Sequence, residues 1–258
     1  MPVSGPRRRR RLAAAALALL SVGCANSTST RVIGELEIHT IRRSHNNAHL
    51  VRQGEHQILV DAGLPAAATE IEAELRALDI DPAQLDAIVI THGHADHGGG
   101  AKYLHDTYGV PIIAGAGDEA MLASGQNGQL CPTDAIARHR LDEDASATFS
   151  PTTADLWIDA PTPLEAHAGI PGWIVPVPGH TPGSLILVLG EVALVGDLFR
   201  GSILGHAAVP HFYMCDLEDN RADIHGLLTE LAPAAQVFFV GHFGPVKRKK
   251  VEKLAADD

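Results

Sequence analysis

The 258-residue chain reads as a layered α/β protein. Three observations carry that reading. Short apolar runs of strand length open each half of the chain, bounded by Gly, Pro and Asp. Segments with helical spacing follow those runs. Histidine and aspartate then fall just past the ends of several apolar runs. Helices laid on the outer faces of buried sheets satisfy the packing requirement of such a pattern, and active sites of open α/β sheets collect at strand ends.

The elements follow in order. Residues 32–41 alternate enough for a strand. Residues 49–52 and 57–60 form a hairpin pair around Gly54-Glu55-His56, and Asp61-Ala62-Gly63 ends the second strand. A helix is predicted over 66–78, with Ile71, Leu75 and Leu78 on one face. Pro82 marks a turn, and 85–90 is a nearly continuous apolar strand. A helix over 98–108, a strand over 110–114 and a short helix over 118–123 come next. Between 124 and about 172 the apolar blocks shorten, and Gly, Pro, Asp, Thr and Ala are frequent. That stretch reads as an insertion or lid, with at most a strand near 156–158 and a broken helix before it. Strands return at 173–177, 184–189 and 192–195. A helix at 219–231, a strand at 236–240 and a short charged helix from Val246 complete the chain.

The N-terminus reads separately. Five arginines at 7–11 precede an apolar run over 12–22, the order of an export signal too short to span a bilayer by preference. The ending Val22-Gly23-Cys24 resembles a bacterial lipoprotein cleavage box, which implies lipid on Cys24; an ordinary cleaved signal peptide is the alternative. Residues 1–24 are therefore set aside as signal, and 25–31, small and polar, as a tether. The expected location is exported, at the periplasmic or cell-envelope face, with membrane contact only through the lipid anchor. Removing 1–24 leaves 15 basic against 31 acidic side chains, a formal net charge of −16. A charge of that sign argues against a nucleic-acid partner and leaves a small-molecule substrate. Without Cys24 two cysteines remain, Cys131 and Cys215. They either pair in an oxidising compartment or stay as thiols, and spacing alone does not decide.

The chemistry is concentrated in Thr91-His92-Gly93-His94-Ala95-Asp96-His97-Gly98-Gly99-Gly100. Imidazole and carboxylate are ordinary ligands of zinc and related ions. In extended backbone His92, His94 and Asp96 point one way and His97 another, so one loop can feed two adjacent metals. His180 in Pro178-Gly179-His180, Asp197 in Val195-Gly196-Asp197 and His242 in Val240-Gly241-His242 each pair a ligand type with glycine beside an apolar run.

This set resembles the metallo-β-lactamase fold superfamily of binuclear hydrolases, in its glyoxalase II and lactonase-like branch. The resemblance implies a four-layer αββα fold, two facing mixed sheets flanked by helices, as a single domain over 32–258. It implies one zinc site from His92, His94 and His180, a second from Asp96, His97 and His242, and Asp197 bridging them. It also implies that Asp61 supports the ligand loop. Two zinc ions, with iron or manganese as alternatives, would share a hydroxide that attacks a small ester, lactone or thioester. Asp96 would help orient that nucleophile. β-Lactam or phosphodiester cleavage, and a non-catalytic metal-sensing protein, are the alternatives. Substrate groups are expected from the insertion and from 198–215, which holds Phe199, Arg200, His206, His211, Phe212 and Tyr213. Arg200 could receive a carboxylate beside Phe199. His211 or Tyr213 could polarise a carbonyl or protonate a leaving group.

Overall fold

The computed structural model describes residues 26–203 and 207–256. The expected signal with Cys24, and His206, lie outside the described residues. Strands β1 (Ser27–Ile33), β2 (Leu36–Arg43), β3 (Asn46–Gln53), β4 (His56–Val60), β5 (Ala87–Val89), β6 (Ile112–Gly115) and β7 (Leu156–Ile158) form one seven-stranded sheet in chain order. The first four run as an antiparallel meander. From β4 to β7 the pairing is parallel. Parallel neighbours need crossovers, and helices α1 (Ala68–Ala77), α2 (Ala95–Gly98) and α3 (Ala101–Tyr108) lie in the first two of them.

The second sheet contains β8 (Thr162–Pro163), β9 (Trp173–Pro176), β10 (Leu185–Leu189), β11 (Val192–Leu194), β14 (Val237–Phe239) and β15 (Val246–Lys247). Its order is β15-β14-β11-β10-β9-β8, with β11 and β14 parallel. A small ribbon of β12 (Arg200–Gly201) and β13 (Ala208–Val209) follows β11. Four more helices are α4 (Glu119–Ser124), α5 (Ala135–Ala145), α7 (Leu217–Gly226) and α8 (Arg248–Ala256), with the single turn α6 (Glu165–Ala168) between β8 and β9.

Side-chain alternation builds the layers. Val51, Ile58, Val60 and Val89 meet Leu185, Leu187, Leu194 and Phe239 in the buried seam between the sheets. Their chain neighbours Leu50, Leu59 and Ile88 face the other way, onto Ile71, Leu75 and Leu104 of α1 and α3. On the far sheet Ile186, Ala193 and Phe238 turn outward onto Ile224, Leu227 and Val251. Period-2 strands with opposite faces buried against helices and against each other give the layer order αββα.

Three expectations change. The strand expected over 32–41 is broken by a turn at Gly34, which takes φ +59°, and becomes the end of β1 and most of β2. Most of the expected tether is β1 itself, paired with β2 from Ser27↔Arg42 to Ile33↔Leu36. The expected insertion is not separate from the two sheets. Its centre holds α5, while β7 extends the first sheet and β8 the second. A Cys131–Cys215 disulfide fastens the α5 region to the loop before α7. Thr133 N donates to Phe212 O (2.9 Å) and Met214 N to Cys131 O (2.8 Å) alongside it.

Candidate metal centre

The ends of β5, β11 and β14 converge at one rim of the sandwich. After β5, Ile90 N still bonds Ile113 O (2.8 Å), so the chain stays extended through Thr91 before it turns. His94 is the N-cap residue of α2, and Asp96 and His97 lie in that turn. His180 lies between β9 and β10, Asp197 follows β11, and His242 follows β14.

Asp197 is the focus. Its Oδ2 lies 3.3 Å from His97 Nε2, 3.2 Å from His242 Nε2, 3.7 Å from His92 Nε2, 3.8 Å from His180 Nε2 and 2.9 Å from His211 Nε2. On one side His92, His94 and His180 form a group whose nitrogens lie within 4.8 Å of one another. His94 Nδ1 and His180 Nε2 are 3.1 Å apart. On the other side Asp96 Oδ2 is 3.7 Å from His97 Nε2 and 3.5 Å from His242 Nε2.

The donor set fits divalent cations. His92 Nε2, His97 Nε2, His211 Nε2 and Asp197 Oδ1 are buried with no hydrogen-bond partner. Each such orphan is costly, about 1–3 kcal/mol, and the three nitrogens all lie within 3.7 Å of Asp197 Oδ2. Burial, helped by neighbouring imidazoles, holds His92 and His180 well below their ordinary value, so both stay neutral with free lone pairs. Burial would raise Asp197, but His211, His242 and His97 outweigh it and keep the carboxyl ionised. The same balance, through His97 and His242, lowers Asp96 to about 2.

Surrounding groups fix the ligand loops. Asp61 sits at φ +63°; its Oδ1 accepts from Thr91 N (2.8 Å) and its Oδ2 from His97 Nδ1 (2.8 Å). That bond fixes one His97 proton on Nδ1, so the neutral ring would offer Nε2 to a cation. Asp118 was not visible as a site residue in the sequence. Its Oδ2 accepts from Gly93 N and Thr181 Oγ1 (both 2.7 Å), and its Oδ1 from Gly183 N (2.9 Å). It therefore ties the His92–His94 loop to the His180 loop. Gly241 is required by proximity, because a Cβ there would strike Asp197 Oδ1 and the His97 ring.

Three substrate-side expectations are corrected. Arg200 is buried, its guanidinium 3.1 Å from Asp134 Oδ2 and stacked 3.8 Å over the Phe212 ring, so it is not free to receive a carboxylate. Phe199 is fully buried and packs against Phe238. Asn220 Nδ2 of α7 donates to Leu198 O (2.8 Å), and Phe199 shares a buried cluster with Ile224 of that helix. Tyr213 does reach the cavity wall, but its hydroxyl donates to Asp144 Oδ2 (2.6 Å). Burial and that acceptor push its pKa well above the ordinary phenol value, so its proton is not available to a leaving group. His211 joins the Asp197 cluster.

The site opens into a cavity of about 290 Å³ lined by Asp96, Asp197, His211, Tyr213 and His242, with apolar walls from Leu64, Leu130, Ile136, Ile203, Phe212 and Phe243.

Imidazoles and carboxylates converging at the strand ends of an αββα sandwich define a metal-dependent hydrolase class. The profile of the Metallo-beta-lactamase superfamily matches residues 41–242, and the chain belongs to that superfamily. Among curated relatives, "Probable metallo-hydrolase YflN" of Bacillus subtilis is 28% identical over 193 residues, 66% of this chain and 62% of that protein. A hydroxyacylglutathione hydrolase of Anaeromyxobacter dehalogenans is 31% identical over 152 residues, 59% of this chain and 45% of its own length. The chain thus spans less than two thirds of these relatives. Among solved structures, the subclass B3 metallo-β-lactamase BJP-1 of Bradyrhizobium japonicum superposes with TM-score 0.65 over 92% of both chains at 17% identity. That likeness is one of fold.

Proposed function

We propose that this chain is an exported hydrolase that uses two divalent cations, zinc foremost, to cleave a small uncharged ester, lactone or thioester. The observation that carries this is Asp197, whose Oδ2 is ringed by five imidazoles, three of them (His92, His97 and His211) with unpartnered buried nitrogens, at the mouth of a cavity. Bound cations would supply Lewis acidity, bringing the pKa of water towards about 7 and polarising the substrate oxygen. Asp96 is ionised and about a quarter exposed toward the cavity, so its Oδ2 can take the proton of an attacking water. Asp61 and Asp118 hold the loops in register.

The cavity argues for an uncharged substrate. Its cation, Arg140, is already held 2.8 Å from Asp144, and Arg200 is sequestered on Asp134. An apolar acyl portion suits Leu130, Ile136 and Phe243. Curated relatives named hydroxyacylglutathione hydrolases favour an acyl bond; the absence of a free lining cation among the described residues disfavours a multiply charged thiol carrier. The Cys131–Cys215 disulfide supports an oxidising compartment. Among the described residues no helix is long and apolar enough to cross a membrane.

The test is a panel on metal-analysed protein: acyl lactones, neutral aryl esters, acyl-glutathione thioesters, β-lactams and phosphodiesters. The reading expects the highest kcat/KM on neutral lactones or esters. A kcat/KM on β-lactams equal to or above these would replace it with the β-lactamase reading.

A further inference from the structure

Besides the five histidines assigned above to the two cation sites (His92, His94, His97, His180 and His242), a sixth imidazole, His211, faces Asp197. His211 Nε2 is buried, unpartnered in hydrogen-bond geometry, and 2.9 Å from Asp197 Oδ2. It forms a group with His180 and Asp197 whose ligand atoms lie within 4.8 Å. Its ring centroid is 4.8 Å from that of His180 and 5.0 Å from that of His242.

The opposite nitrogen explains its orientation. His97 Nδ1 donates to Asp61, His242 Nδ1 to His45 O (3.1 Å) and His180 Nδ1 to Tyr213 O (3.0 Å). With that proton turned outward, the neutral ring presents its Nε2 lone pair inward to a bound cation. His211 Nδ1 lies 3.2 Å from that same Tyr213 carbonyl. One carbonyl has two lone pairs, so it can fix both rings in the same tautomer. The alternative contact, Tyr213 N donating to His211 Nδ1 at 3.3 Å, would instead place a proton on Nε2, towards Asp197.

The loop that bears His211 is also anchored against drift. Thr133 Oγ1 donates to His211 O (2.6 Å), and the Cys131–Cys215 disulfide closes beside it. Such anchoring suits a ligand that must hold position to a few tenths of an ångström.

We propose that His211 is a further metal ligand, coordinating through Nε2 the cation shared with Asp197 and His180. This rests on the two-cation reading above. It assigns His211 to metal binding rather than to proton transfer at a leaving group.

The test uses full-length mature protein carrying 15N-labelled histidine and loaded with 113Cd. Six imidazoles showing 113Cd–15N coupling are expected in the wild type. One of them should be assigned to His211 by its loss in His211→Gln. Cobalt titration of His211→Ala should show at least about 10-fold weaker binding of one ion and an altered visible spectrum. Five coupled imidazoles, with His211 Nε2 carrying a proton, would overturn the assignment and leave the two-cation reading standing. Failure of the wild type to take up any ion would overturn both. The coupling count needs no variant, so misfolding of a His211 substitution does not blunt the test.

Discussion

Asp61→Asn is the sharpest single perturbation of this centre. Asp61 occupies the left-handed region at φ +63°, which Asn tolerates better than most residues, and the shape of the side chain is nearly kept. The amide oxygen can still accept from Thr91 N, now at 2.8 Å from Oδ1. The amide nitrogen then takes the place of Oδ2, 2.8 Å from His97 Nδ1, so donor faces donor. Relief requires His97 to move its proton to Nε2, the atom that points at Asp197. A protonated Nε2 is no ligand. Loss of one charge-assisted bond costs about 1.5–3 kcal/mol, and supporting residues of this kind change metal affinity by about 10–100-fold. The expected result is normal binding of one ion and 10–100-fold weaker binding of the other, read by competition with a chromophoric chelator at pH 7.5. Two ions held at wild-type affinity in Asp61→Asn would refute the tautomer argument.

Other predictions follow from the same geometry. Asp197→Ala should lower kcat/KM at least about 100-fold and weaken metal retention, checked by steady-state kinetics with metal analysis. Arg200→Lys should cost about 1–3 kcal/mol in denaturant unfolding, through loss of the Asp134 pair and the Phe212 stack, while KM for neutral esters is unchanged; a large KM rise would restore Arg200 to substrate binding. Replacing Cys131 and Cys215 by Ala should lower stability by about 2–4 kcal/mol in chemical denaturation. His49 is buried, 3.2 Å from Val240 O, and burial lowers its pKa to about 4. The unfolded chain, titrating near 6.5, binds the proton first, so stability is complete above about pH 6.5 and falls as pH drops towards 4, by about 3 kcal/mol. His49→Gln should flatten that part of the pH–stability curve, and an unchanged slope would refute the assignment.

What the sequence revealed and what it hid have physical causes. Four ligand-type residues within six positions are legible because one loop must carry them, and His180, Asp197 and His242 are legible because each follows an apolar run that ends beside glycine. Asp61, at the end of Leu59-Val60, was readable only through the family resemblance, because an acid there reads locally as a turn cap. Asp118 was not, because its partners Gly93, Thr181 and Gly183 lie 25 to 65 positions away. Arg200 misled because its partner Asp134 is 66 positions distant, so nothing local signals that its charge is already neutralised. β1 was hidden by its edge position. Paired on one side only and largely exposed, it needs no apolar alternation, and Ser-Thr-Ser-Thr reads equally as linker.

The central claim is that distant loops bring a pair of cations together across Asp197. An anomalous-difference map of metal-loaded crystals tests it most directly. Two peaks about 3.5–4 Å apart are expected, one against His92, His94 and His180, the other against Asp96, His97 and His242, with Asp197 touching both. A map with no peak at this rim, or with metal bound only away from Asp197, would contradict the account.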